Sequence, residues 1–383
     1  MNNDFNYNNG QEYRDPFTGK PQYDFYDELI VKDAKKTTSR TMLSVAIYLI
    51  VAYALTFMID LTIGLVLIYG LNNADAYYAL ASSSAYQLII GTLPMYVGGI
   101  PILFLIVKNL PKKQLPLEKP KMSFPHLLMM IPIAEVAMLI GSYIGGFINA
   151  IYSAMLGIEN FDPVTEVVME TPLPILLVMT VVLAPIFEEL IFRKLLLDRL
   201  SVYGSKFAII VSAVAFGLFH GNLDQFFYAA LLGVVLGYVA IKSGNWLYSV
   251  IIHAVMNLLG GVVPLLVNDS LDRYMDLMED MLENPAAYNS IPAEYAFDVL
   301  VIMLYSGVIS TLVVGGIVLL VLGIKKRWFT VDERLSVRIP KGRTAGVVFK
   351  NAGTITLLVV TGLLIIIDLF RPLIEQVTNG TGV

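Results

Sequence analysis

The chain has no cysteine, only three histidines and two tryptophans among 383 residues, and just 15% charged side chains. Without cysteine there can be no disulfide, no thiolate metal site and no cysteine nucleophile. Sparse charge, 56% hydrophobic residues and a mean hydropathy of +0.69 exclude an ordinary soluble globular domain. The basic residues are scattered between apolar runs and form no nucleic-acid-binding module, so no nucleic-acid partner is expected. This is the composition of an integral membrane protein whose first partner is the lipid bilayer.

A spanning helix needs about 20 mostly apolar residues. Roughly nine stretches qualify: 42–71, 85–107, 125–153, 173–197, 206–222, 224–241, 246–266, 296–323 and 353–370. The stretch 206–222 is the shortest and most polar-ended, so eight spans plus one tilted or partly re-entrant segment also fit. The expected fold is all-α, a polytopic transmembrane helix bundle with about 8–9 spans.

Lysine and arginine alternate between successive loops as the positive-inside rule requires. The N-terminal tail ends in Lys32, Lys35, Lys36 and Arg40, and the loops at 108–124 and 324–352 are basic. The loops at 72–84 and 154–172 hold no Lys or Arg, and the acidic loop at 267–295 holds Arg273 alone. The N-terminus is therefore expected to be cytoplasmic. No cleavable signal is visible, because the first apolar run begins only near Met42 and is too long for one.

Residues 1–38, rich in Asn, Tyr, Asp and Gly, read as a disordered cytoplasmic tail. Residues 39–371 read as a single transmembrane domain, followed by a short tail at 372–383. Within 267–295, an external loop, Leu271, Tyr274, Met275, Met278, Met281 and Leu282 suggest an amphipathic helix that could lie on the membrane surface; a plain acidic spacer fits equally.

The chemistry concentrates between residues 188 and 257. Glu188 and Glu189 adjoin within the apolar stretch 173–197, and a charge in hydrocarbon costs at least ~2.5–3.5 kcal/mol, so such a pair is a functional-site hypothesis by default. Glu189 and Arg193 stand four apart on one helix face, where an ion pair can form. Glu188 points about 100° away at 3.6 residues per turn, toward a different partner, which leaves it free to act on water as a general base. The alternative is that both acids simply pair with Arg193 and Lys194. His220 shares a face with Phe216 and is either an interfacial histidine or part of the same site. His253 and Asn257, also four apart, are either helix-packing glue or donors aimed at a developing oxyanion. His126 reads as interfacial. Asp60, Glu135, Asp298 and Asp368 are intramembrane ionisables without a matching pattern, Glu135 being the best placed for a secondary role.

Glu-Glu-x-x-x-Arg at 188–193, Phe-x-x-x-His at 216–220 and His-x-x-x-Asn at 253–257, in that order on separate helices, resemble the CAAX-processing and bacteriocin-processing (CPBP, or Abi) family of intramembrane endopeptidases, CAAX prenyl protease 2-like. The resemblance covers roughly 173–265. It implies that Glu188 and His220 activate the attacking water, that His253 and Asn257 stabilise the oxyanion, and that Glu189 with Arg193 braces the site. Glu188, His220 and His253 could also supply a zinc set. They lack the His-Glu-x-x-His spacing of zinc peptidase helices, so a metal-independent site is favoured.

The substrate class implied is a peptide or membrane-associated protein, cut near the cytoplasmic side: Glu188 lies about 16 Å from Arg199 along the helix rise, and His253 about 12 Å from Asn245. His220 fits less well, about 21 Å from Lys206 by the same measure. A bacterial plasma membrane is expected from the resemblance. Two other functions stay open: a non-catalytic scaffold or immunity protein on the same fold, and a proton-coupled carrier, which lacks the expected repeats. Oligomeric state is open too; Gly141 with Gly145 and Gly233 with Gly237 make small-residue faces of the kind more often used for packing within a chain.

Overall fold

A computed structural model describes residues 25–112, 122–157, 163–284, 291–331 and 336–378. Among these residues there is no strand, and eight helices are long and apolar enough to cross a membrane. They are α1 (Tyr26–Gly70), α2 (Ser84–Val107), α3 (Phe124–Leu156), α4 (Leu173–Tyr203), α6 (Leu223–Ser243), α7 (Leu247–Glu283), α8 (Ala293–Lys325) and α9 (Ala352–Leu373), with the shorter apolar α5 (Ser205–Phe219) between α4 and α6. The protein is an all-α polytopic bundle, as its composition implies.

The ambiguity between eight and nine spans settles on α5. Fifteen residues rise only about 22 Å, short of a hydrocarbon layer of about 30 Å. It is nevertheless packed on nearly every side, with Ala208, Ser212, Ala215 and Phe216 all buried. The chain enters it through Gly204 (φ 129°) and leaves it through Gly221 (φ 69°), backbone conformations that side chains with a Cβ rarely adopt. A short helix between two sharp reversals can thus sit inside the bundle, against α4 and α6.

The small-residue pairs bring helices of this chain together. Gly141 on α3 faces the main chain of Tyr228 on α6, and a Cβ on Gly145 would sit 3.0 Å from the Asp224 carbonyl oxygen. Gly233 on α6 likewise meets Ala213 on α5, where an added Cβ would lie 3.0 Å from its Cα. With α6 pressed between α3 and α5, the polar residues of α4, α5 and α7 have a fixed frame.

Three segment boundaries need correction. Residues 25–38, expected in the tail, are helical and open α1. Ile30, Ala34 and Thr37 make an i, i+4, i+7 face that is buried, Ala34 packs with Tyr203 and Val347, and the Tyr203 hydroxyl lies 2.9 Å from Thr37 and donates to Asp33 at 2.7 Å. Three well-spaced contacts suffice where aliphatic density is low; residues 1–24 lie outside the described residues. The expected external loop at 267–295 is mostly helix, because α7 continues unbroken to Glu283. Its amphipathic pattern is real, yet it docks on α8 and does not lie flat alone: Leu277 is buried, Ser270 donates to Asp298 at 2.9 Å, and Arg273 pairs with Asp298 at 3.1 Å. At the other end, the last helix runs to Thr378, which absorbs 372–378 of the expected tail.

Replacing Gly141 with leucine should destabilise the detergent-solubilised protein by about 1–3 kcal/mol or more, because the new side chain meets the Tyr228 backbone, which cannot yield. Gly146→Ala is the control, since a Cβ there meets nothing within 4 Å, and its melting temperature should not fall. Equal melting behaviour for the two variants would contradict this packing.

Candidate functional site

The site is built on a helix with irregular turns. In α4, wide π-helical turns at Leu177–Leu183 and Leu190–Leu197 flank a short α-helical segment, Ala184–Glu189, that carries both acids. α7 has a similar turn, Leu258–Val262, directly after Asn257. Such turns let a helix present side chains out of regular register and are frequent at functional sites.

The predicted ion pair is present. Arg193 Nε donates to Glu189 Oε2 at 2.9 Å, with both side chains fully buried. Arg193 Nη1 also donates to Ser212 Oγ at 3.1 Å, Ser212 donates on to the Phe192 carbonyl at 2.9 Å, and the guanidinium carbon lies 5.1 Å from the centre of the Phe216 ring. Burying two charges is costly unless their remaining polar atoms find partners: α5 supplies Ser212 for Arg193 Nη1 and α7 supplies His253 for Glu189 Oε1, while Arg193 Nη2 has no hydrogen-bond partner among the described residues.

His253 is where the structure departs from the expected division between the acids. Its Nδ1 lies 3.2 Å from Glu189 Oε1 and its Nε2 lies 3.7 Å from Glu188 Oε2. The two carboxylates leave α4 in different directions, but the two nitrogens of one imidazole reach both. A neutral ring carries one N–H, so engaging both acids at once requires a second proton shared among the three groups. Burial divides the acids: the Glu189 side chain is 0% exposed, whereas that of Glu188 is 13% exposed.

His220 ends α5. Its Nδ1 lies 2.9 Å from the Phe216 carbonyl, and a carbonyl only accepts, so Nδ1 carries the proton and Nε2 is left as the acceptor. Asn222 fixes this corner by donating to the His220 carbonyl at 3.2 Å and capping α6 through the Gln225 amide at 2.8 Å. The Phe216 ring lies between the imidazoles, 5.1 Å from His220 and 5.6 Å from His253, edge to face with each. Phe216 therefore touches both imidazoles, of which His253 is the one that contacts the carboxylates.

Asn257 Nδ2 donates to the Thr180 carbonyl at 2.8 Å and so ties α7 to α4. The packing role is present, and an amide nitrogen has a second N–H to offer. Among the described residues no group of three His, Asp or Glu side chains is placed to hold a metal ion, and both nitrogens of His253 face carboxylates.

Four residues at the site went unread in the sequence. Ser212 shares the α5 face of Phe216 and His220, a helical spacing that could have revealed it. Ser249 is buried beside Glu189, one turn before His253. Tyr96 on α2 stacks on Phe187 with ring centres 4.3 Å apart, and Tyr48 on α1 packs on Phe219 at 5.4 Å, each against a residue adjoining Glu188 or His220 in sequence. Phenols from distant helices leave no local signal. The other intramembrane ionisables have separate partners: Asp60 accepts from Tyr77 and Tyr86 at 3.2 and 2.7 Å, and His126 lies 3.3 Å from the Tyr238 hydroxyl. Glu135 is partly buried on α3 and has no part in the cluster described.

Arg193→Ala leaves Glu189 buried without its cation and should cost about 3–5 kcal/mol of stability, read as a large drop in melting temperature in detergent. The double variant Glu189→Gln with Arg193→Met removes both charges and should recover much of that loss. A single variant as stable as the native protein would show that the pair does not hold α4.

Residues 170–259, which hold Glu188, Glu189, Arg193, His220, His253 and Asn257, match the family described as Type II CAAX prenyl endopeptidase Rce1-like. The chain is also 22% identical over 163 residues to "Putative membrane peptidase YdiL" of Bacillus subtilis, a match covering 42% of this chain and 66% of that protein. It is 33% identical over 81 residues to UPF0177 protein YxdF of Lactococcus lactis, covering 21% of this chain and 45% of that protein. It therefore spans less than two thirds of the length of either relative. No solved structure matches the chain. The resemblance carried by the three motifs is borne out, and the segment 170–259 of this integral membrane protein is Rce1-like, of the CPBP kind.

Proposed function

We propose that the protein is an intramembrane endopeptidase that hydrolyses a peptide bond of a membrane-associated protein or peptide. The observation that carries this reading is His253 held between Glu188 and Glu189 inside the segment that matches the Rce1-like family. Such an arrangement suits acid–base work on water, and a purely structural acid would not need to keep an edge open as Glu188 does.

In the proposed reaction Glu188 takes a proton from water while the water oxygen bonds to the scissile carbonyl carbon, with the free Nε2 of His220 orienting the water. The carbonyl oxygen becomes an oxyanion, stabilised by an N–H of His253 and the second N–H of Asn257. The intermediate collapses by breaking the C–N bond, and the proton taken by Glu188 passes to the leaving amine. Glu189 and Arg193 hold His253 and α4 in place. No covalent intermediate is needed, and no step passes through a metal. The substrate would be a peptide reaching the site near the cytoplasmic face of a bacterial plasma membrane, with the N-terminus of the chain on the same side.

Purified protein incubated with membrane peptides and read by mass spectrometry should show cleavage that falls by at least about 10²-fold in Glu188→Ala and in His220→Ala. Asn257→Ala should lose about 10²-fold in kcat if its amide serves the oxyanion. Normal membrane abundance must accompany these losses. Unchanged cleavage in Glu188→Ala would end this reading, and a function retained without any cleavage would point to a non-catalytic scaffold.

A further inference from the structure

Glu189 and Arg193 share one hydrogen bond where such a pair ordinarily shares two. A guanidinium presents its Nε–H and the Nη2–H beside it as a fork, and a carboxylate commonly takes both with its two oxygens. Here Arg193 Nε reaches Glu189 Oε2 at 2.9 Å, while Arg193 Nη2 is buried with no hydrogen-bond partner among the described residues. The second carboxylate oxygen, Oε1, lies 3.2 Å from His253 Nδ1 instead. A donor on α4 is left unpaired while the oxygen that would complete the fork is given to an imidazole on α7.

Ser212 accounts for this departure from the fork. It is fully buried on α5, and its single O–H donates to the Phe192 carbonyl at 2.9 Å, an atom that can only accept. Toward Arg193 the hydroxyl oxygen therefore acts as an acceptor, and it receives Nη1 at 3.1 Å. A rigid planar group held at both Nε and Nη1 cannot turn in its own plane to bring Nη2 onto Glu189.

We infer that Ser212 is a positioning residue for His253, acting through Arg193 and Glu189: by holding Nη1 it stops the ion pair from closing into a fork and so keeps Glu189 Oε1 for the imidazole. A carboxylate paired with a guanidinium accepts, so Nδ1 of His253 carries a proton and the ring is held in one orientation. Its other nitrogen, Nε2, is then aimed at Glu188, 3.7 Å from Oε2. This inference rests on the endopeptidase reading, in which His253 works on the Glu188 side; Ser212 itself touches no reacting atom.

Ring-¹⁵N NMR of the detergent-solubilised protein reads the claim directly, because the chain has only three histidines and each can be assigned by removing one at a time. Native His253 should show a protonated, hydrogen-bonded Nδ1. Ser212→Ala frees Nη1, lets the guanidinium turn onto both oxygens of Glu189, and should abolish that signal. Its kcat should fall about tenfold to a hundredfold with KM unchanged, since the imidazole and not the substrate is misplaced. Ser212→Thr keeps the hydroxyl and should restore both the signal and most of the rate. An unaltered His253 signal in Ser212→Ala would overturn the inference, as would a threonine variant no better than the alanine one. A Ser212→Ala protein that does not fold would overturn it too, by showing the hydroxyl to be a structural bond first. Cleavage by the native protein with the His253 signal unmoved in Ser212→Ala defeats this inference alone, whereas no Glu188-dependent cleavage at all defeats the endopeptidase reading and the role of Ser212 in it.

Discussion

The buried guanidinium of Arg193 is what obliges α4, α5 and α7 to meet. A cation with no exposure to water must be neutralised and hydrogen-bonded, and no single helix can do both. Glu189 supplies the charge from one turn back, Ser212 supplies an acceptor from α5, and the Phe216 face covers the plane of the group. Glu189 in turn has a second oxygen, which receives His253 from α7. Removing Glu189 or Ser212 would leave a charge or a further donor unpaired in a low-dielectric interior, so the three helices are held together by electrostatics as well as by packing.

Adjacent acids in one helix would ordinarily repel and share an environment. Here they have different ones. Glu189 is sealed with a permanent cation, while Glu188 keeps an exposed edge and only a longer contact to the same imidazole. Glu189 therefore has its lone pairs committed and is suited to bracing. Glu188 can still accept a proton, as the proposed reaction requires.

Much of this was legible in the sequence, for a physical reason. Charged and hydrogen-bonding residues in hydrocarbon are so costly that each needs an explanation, and helical spacing then says which of them share a face. Glu189 with Arg193, Phe216 with His220, and His253 with Asn257 could be paired in this way. The all-α bundle followed from the apolar runs. What could not be read depends on register and distance. One imidazole, His253, reaches Glu188 as well as Glu189 although the two acids point apart on the helix, Asn257 spends an N–H on a main-chain carbonyl, and the first turns of α1 are held by three sparse contacts in a polar stretch. Tyr48 and Tyr96 reach the site from helices far away in sequence, where a tyrosine in an apolar run has no distinguishing neighbour.

The flanking helices also set the physical character of the site. The matched segment contributes the acids, the imidazoles and the amide, while α1 and α2 pack aromatic rings on it, Tyr48 against Phe219 and Tyr96 against Phe187. A base surrounded by lipid-like side chains alone would have no means of orienting water, and one open to solvent would gain nothing from burial. Glu188, with 13% of its side chain exposed and an imidazole beside it, lies between these extremes.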